Sequence, residues 1–164
     1  MSETAKNQKQ IIVDEIKEKF SKSKSAVVVD YLGISVSQAD AMRKKLREAD
    51  VDYTVYKNTL VKRAIEGTEF ASMAEVLDGP SAFAFSYEDA TTPARVINES
   101  IKEYKKMAFK GGFVEGVYYD AEGMAAVASI PGREVLIAKF MGSIQSPVSK
   151  LVRTFQAVAD AKTE

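Results

Sequence analysis

Tyr53-Thr-Val-Tyr-Lys57-Asn58-Thr59-Leu60-Val-Lys62-Arg63-Ala-Ile65 passes from strand to helix within one short stretch. Val51, Tyr53 and Val55 alternate with Asp52 and Thr54, the period of a strand with one buried face. The alternation stops at Lys57-Asn58-Thr59, where Asn58 or Thr59 can cap a helix. Beyond it Leu60 and Ala64 share one side, with Val61 and Ile65 beside them, and Lys62 and Arg63 are left outside. A strand that ends at a lysine and a helix N-terminus, with two more cations one turn on, can hold phosphate. It can equally be an ordinary junction with solvated charges.

The same alternation of strand and helix repeats on both sides. Upstream, Ala26 to Tyr31 reads as a buried strand, Leu32-Gly33-Ile34-Ser35 as a turn, and Val36 to Ala49 as a helix. Ala39, Met42, Leu46 and Ala49 form that helix's inward stripe. Arg43 and Arg47, flanked by Lys44, lie at its edge, where they can fork onto phosphates or snorkel over the core. Downstream, Ser72 to Leu77 is a short helical insert and Asp78-Gly79-Pro80 a strong turn. Ser81 to Ser86 follows as a strand with Phe83 and Phe85 on one face and Ala82 and Ala84 on the other. Pro93 suits the first turn of a helix that carries Val96, Ile97, Ser100, Ile101 and Tyr104 inward. Ala108 to Val117 is the last strand, with a bulge or bend at Gly111-Gly112. An amphipathic helix from Ala5 to Phe20 precedes all of this. Two split βαβ units predict an α+β fold, a ferredoxin-like sandwich whose four-stranded, mainly antiparallel sheet carries two helices on one face. The N-terminal helix and the insert are additions to it.

After Tyr119 the sheet pattern ends. Ala121 to Ser129 is a small helix, Ile130-Pro131-Gly132 breaks the chain, and a second helix ends near Gly142. Ser146-Pro147 opens a final helix with apolar residues Val148, Leu151, Val152, Phe155, Val158 and Ala159, a near-heptad stripe. That stripe either folds back onto its own sheet or belongs to a projecting helix covered by a partner. The expected organisation is an α/β domain over 1–130, a connecting helix and hinge over 131–145, and a terminal helix over 146–164.

Composition narrows the function. Cysteine and histidine are both absent, which removes disulfides, Cys/His zinc sites and Cys–His or Ser–His catalysis. No Walker-type loop, membrane-span-length apolar run or signal-peptide core is present, so cytoplasmic residence is expected and no cofactor is implied. The zero net charge hides a segregation. From Met42 to Arg63 seven cations face three anions, whereas from Ala64 to Ser100 one cation faces seven anions. That asymmetry suggests one basic and one acidic face.

Several motifs together resemble the ribosomal protein L-ten family, the stalk-base proteins of the bacterial large subunit. They are Asp30-Tyr-Leu-Gly33-Ile34-Ser35 running on to Met42-Arg43 and Leu46-Arg47, and Tyr56-Lys57-Asn58-Thr59-Leu60 with Arg63-Ala64. Gly79-Pro80 before Phe83-Ala84-Phe85, and the tail Lys150-Leu151-Val152-Arg153-Thr154-Phe155, complete the set. The resemblance implies a non-catalytic protein of the cytoplasmic ribosome. Its N-terminal domain would bind large-subunit rRNA beside ribosomal protein L-eleven. Its terminal helix would carry dimers of the acidic stalk protein L-seven/L-twelve, here two, which recruit GTPase translation factors. On that view Arg43, Lys44, Arg47, Lys57, Asn58, Thr59, Lys62 and Arg63 are the candidate rRNA contacts. Val148, Leu151, Val152, Phe155, Val158 and Ala159 are the stalk-protein seam.

Two other readings are open. A free single-strand RNA binder of the RNA-recognition-motif type would use exposed sheet aromatics such as Phe113, in Lys110-Gly111-Gly112-Phe113-Val114. A small acylphosphatase-like hydrolase would need an anion cradle after the first strand, and Leu32-Gly33-Ile34-Ser35 offers none.

Overall fold

The computed structural model describes residues 3–163, with side chains over 9–147 and 149–157. The chain divides into two compact units, Met1–Ile130 and Pro131–Glu164. In the first, the elements run α1 (Glu3–Lys22), β1 (Ser25–Asp30), α2 (Val36–Glu48), β2 (Val51–Thr54) and α3 (Asn58–Ile65). A 3-10 helix (Glu69–Glu75), β3 (Ala82–Ser86), α4 (Thr92–Tyr104), β4 (Ala108–Val114), β5 (Val117–Asp120) and α5 (Ala121–Ala128) follow.

The five strands form one sheet in the order β2-β3-β1-β4-β5, every neighbouring pair antiparallel. The first four keep the split βαβ arrangement expected from the sequence, and the α+β class holds. The expected single last strand is in fact two. Glu115 and Gly116, at φ 52° and 82°, turn the chain back after Val114. Two consecutive residues with positive φ match the right-handed twist of a tight hairpin. Val117-Tyr-Tyr-Asp120 then adds a fifth strand at the edge.

β1 is central and buried on both sides, as its unbroken apolar run requires. Ala26 and Val28 join Phe83, Phe85 and Phe113 under α1, α3 and the 3-10 helix. Val27 and Val29 join Ala82 and Ala84 under α2, α4 and α5. So the helices expected as additions close the second face, and the sandwich has three layers rather than two. The two faces are filled differently. Alanines on β3 admit the α2–α4 layer closely, whereas its phenylalanines fill the other layer with edge-on aromatic contacts. The Phe20 and Phe85 rings lie 5.0 Å apart and Phe70 and Phe113 4.8 Å apart.

This second layer rules out the free RNA-recognition-motif reading. Phe113 is only 3 % exposed, with Phe70 over its ring. No base can stack where a helix already does.

The second unit contains one helix, α6 (Arg133–Thr163), with Pro147 inside it. The expected break at Gly142 and fresh start at Ser146-Pro147 are therefore corrected. Pro147 has no N–H to give the Ser143 carbonyl, and Gly142 lowers helix propensity, yet both are absorbed within the same run.

Candidate nucleic-acid interface

Helix α2 is started by a capping box. Ser35 Oγ accepts from the Gln38 amide at 3.4 Å, and Gln38 Oε1 accepts from the Ser35 amide at 3.0 Å. Met42 and Leu46 then point into the core, which turns Arg43, Lys44 and Arg47 outward. Arg43 lies 3.6 Å from Asp40 and Lys44 4.0 Å from Glu48, both exposed pairs that a phosphate can replace at little cost. Arg43 and Arg47 flank a small hollow with Val51, Asp52 and Tyr53. Burial pushes the Tyr53 phenol up to about 12, against the pull of the Arg43 charge.

Helix α3 lies on the opposite layer. Lys57 is its N-cap and makes no side-chain capping bond. The expected caps are thus corrected. Asn58 instead donates its amide to Gly79 O at 2.7 Å, and Thr59 is exposed. Lys62 pairs with Asp78 at 3.5 Å. Among the described residues Arg47, Lys57 and Arg63 have no ion-pair partner.

The eight candidate residues therefore do not form one basic face. β2 crosses between α2 and α3, so Arg43, Lys44 and Arg47 sit on one side of the sheet and Lys62 and Arg63 on the other. What the fold does bring together is the end of the sheet where β2 stops and β3 begins. There Lys57, Asn58 and Thr59 meet Tyr31, Val55, Tyr56 and Gly79-Pro80-Ser81 around a shallow hollow of about 360 Å³. Tyr56 is fixed from below, its hydroxyl donating to Glu15 at 2.9 Å and Lys19 lying 5.7 Å from its ring. Arg63 is drawn into a second basic group, sharing a hollow with Lys9 and Lys17 between α1 and α3. Nothing in the order of residues joins Lys9, Lys17 or Tyr31 to the site, because only the fold of α1 and β1 against α3 makes them neighbours.

The loop after β1 differs from an anion cradle. The Leu32 amide donates to the Asp30 carboxylate at 2.9 Å, so a negative group already occupies that donor. Cations spread over a sheet end and two layers can meet several phosphates of one polyanion.

In α6 the apolar residues are open. Phe155 is 65 % exposed, and Leu151 and Val152 are exposed with it. The side chains of Val148, Val158 and Ala159 lie outside the described residues. Because the helix is continuous, the stripe begins well before the expected seam, with Ile137, Phe140, Met141 and Ile144 at the same helical spacing and equally exposed. Among the described residues no helix is long and apolar enough to cross a membrane.

The first unit thus carries cations on a sheet end and on helix faces, and the second carries a long bare apolar stripe; neither is a closed catalytic pocket, and both are features of a structural component. Residues 4–102 match the family model described as Ribosomal protein L10, and residues 130–164 match Ribosomal protein uL10 C-terminal region. The large ribosomal subunit protein uL10 of Alkaliphilus metalliredigens (strain QYMF) is 48 % identical over 156 residues, spanning 95 % of this chain and 94 % of that protein. The protein of the same description from Bacillus cereus (strain B4264) is 44 % identical over the same shares. The chain belongs to the uL10 family of large-subunit ribosomal proteins. That membership puts it with the cytoplasmic ribosome.

Proposed function

We propose that the chain is a non-catalytic stalk-base scaffold with its two tasks assigned to its two units. The first unit binds large-subunit rRNA, next to ribosomal protein L-eleven. Its contacts centre on Lys57, Asn58 and Thr59 at the sheet end and reach Lys62 and Arg63 on one layer and Arg43, Lys44 and Arg47 on the other. Phosphate contacts of this kind fix register and make affinity salt-dependent without reading sequence. The second unit is the spine for the acidic stalk protein L-seven/L-twelve, bound as two dimers that recruit GTPase translation factors. Free in solution with its partner, the protein can also repress translation of its own operon.

The observation that carries this reading is the exposed stripe of α6 from Ile137 to Phe155. One helix has no partner face within itself, and an apolar stripe of this length in water is stabilised by covering it. The test is native mass spectrometry of the tagged chain isolated from its own cytoplasm, beside a twin ending at Gly132. The full chain should carry four copies of one small acidic protein and the shortened chain none. Both forms arriving alone would refute the spine.

A further inference from the structure

Lys110 is the extra residue of the β1–β4 ladder. Val28 pairs with Gly111 and Val29 with Phe109, which leaves Lys110 unpaired between them. Such a bulge re-aims the side chain it carries. Here the side chain turns back to the loop between the 3-10 helix and β3. Its ammonium donates to Asp78 O at 2.5 Å, Pro80 O at 2.6 Å and Ser81 Oγ at 3.2 Å, with the Asp30 carboxylate 3.8 Å away. An ammonium has three protons, and these three acceptors take them all. The side chain is 15 % exposed. The carbonyl between those two, Gly79 O, accepts from Asn58. Three successive carbonyls of one loop are thus held by Lys110 and Asn58, with the Ser81 hydroxyl adding a longer bond to Gly79 O at 3.4 Å, and Asn58 belongs to the first turn of α3.

We propose that Lys110 is the positioning residue of the RNA-binding sheet end. It holds the loop from Asp78 to Ser81 with its carbonyls turned inward, and through Gly79 it sets Asn58 and the start of α3, so that Lys57 and Thr59 are presented in one geometry. It is a cation that serves RNA binding without touching phosphate. An ammonium already spent on three acceptors has nothing left to give one, and the loop's carbonyl dipoles are neutralised away from the polyanion rather than left to repel it. The proposal rests on the RNA reading above.

The test is binding of the full chain to a transcript of the stalk-base segment of large-subunit rRNA, over a range of salt. Lys110→Met should weaken binding by about tenfold, as expected for loss of charge-assisted hydrogen bonds that order a site. The slope of log K against log salt should not change. Lys57→Gln, by contrast, should flatten that slope by about one. Asn58→Ala removes the second tie to the same loop, so its effect and that of Lys110→Met should combine to less than their product. Unaltered affinity in Lys110→Met would overturn the proposal, and so would a slope flattened as in Lys57→Gln, which marks a phosphate contact. Should Lys110→Met not fold, Ser81→Ala, which removes one of the three acceptors of the ammonium and no assigned RNA contact, takes its place, and full affinity there overturns the proposal. Failure of the unmodified chain to bind overturns the RNA reading and this proposal together, whereas binding by that chain with an indifferent Lys110 overturns this one only.

Discussion

Replacing Phe155 should separate the two tasks of the chain. The residue is 65 % exposed, so its ring contributes little to the stability of the free protein. Surface substitutions of this kind stay within about 0.5 kcal/mol. A phenylalanine offers on the order of 200 Å² for burial, so about 130 Å² of this one is left for a partner to cover. At about 25 cal/mol per Å² that area corresponds to about 3 kcal/mol. Phe155→Ala should therefore weaken stalk-protein binding about two hundredfold. Phe155→Asp should weaken it further, because a carboxylate would be taken out of water unpaired. Isothermal titration with the purified acidic protein measures the loss, with rRNA binding and thermal melting as controls. A several-degree fall in Tm, or an equal loss of RNA affinity, would show that the ring is packed within the chain and would refute the argument.

Removing Lys57, Lys62 and Arg63 together should lower rRNA affinity and flatten its salt dependence by about two to three in slope; an unchanged slope means these cations do not meet phosphate. Phe113→Ala should cost about 3–5 kcal/mol in denaturant unfolding, the usual range for an emptied aromatic site, while the folded fraction still binds RNA normally. Because the Tyr53 phenol is raised by burial from 10.0 to about 12, its contribution to stability is complete below pH 10 and is lost as pH rises through the folded value. Tyr53→Phe should accordingly leave Tm at pH 7 nearly unchanged and lessen its fall between pH 10 and 12. Pro147→Ala restores one N–H in α6 and removes a cost of about 3 kcal/mol, so far-ultraviolet circular dichroism should register added helix at elevated temperature; no gain would mean the proline strains nothing.

The readable parts of the fold were those where one residue pattern has one solution. The Ala-Phe alternation of β3 admits only a strand with two unequal buried faces, and the apolar run of β1 only a central position. The hairpin before β5 was hidden because its turn is Glu115-Gly116. The usual signals at such turns are asparagine or aspartate before glycine, and a glutamate at positive φ is held by the ladder on either side rather than announced by its own preference. Gly142 and Pro147 misled in the other direction, as local breakers outweighed by the helix on both sides of them. The candidate interface was legible as a set of residue types but not as a surface. Arg47 and Arg63 are close in sequence, but the strand between them sends them to opposite layers. Lys110 and Asp78 are far apart in sequence, yet a bulge brings them within bonding distance.

The continuity of α6 gives the spine a phase. Each residue of an α-helix turns the chain by about 100°, so the stripe around Phe140 and the stripe around Phe155 are locked in azimuth by the residues between them. A single insertion near Ser146 would swing the distal docking face about a quarter-turn away from the proximal one, whereas seven or eleven residues would return it to within about 20°. A hinged spine could absorb any insertion. A continuous one can lengthen only in such steps, so under the proposed function the number of partners would be a stepwise rather than a gradual property of the chain.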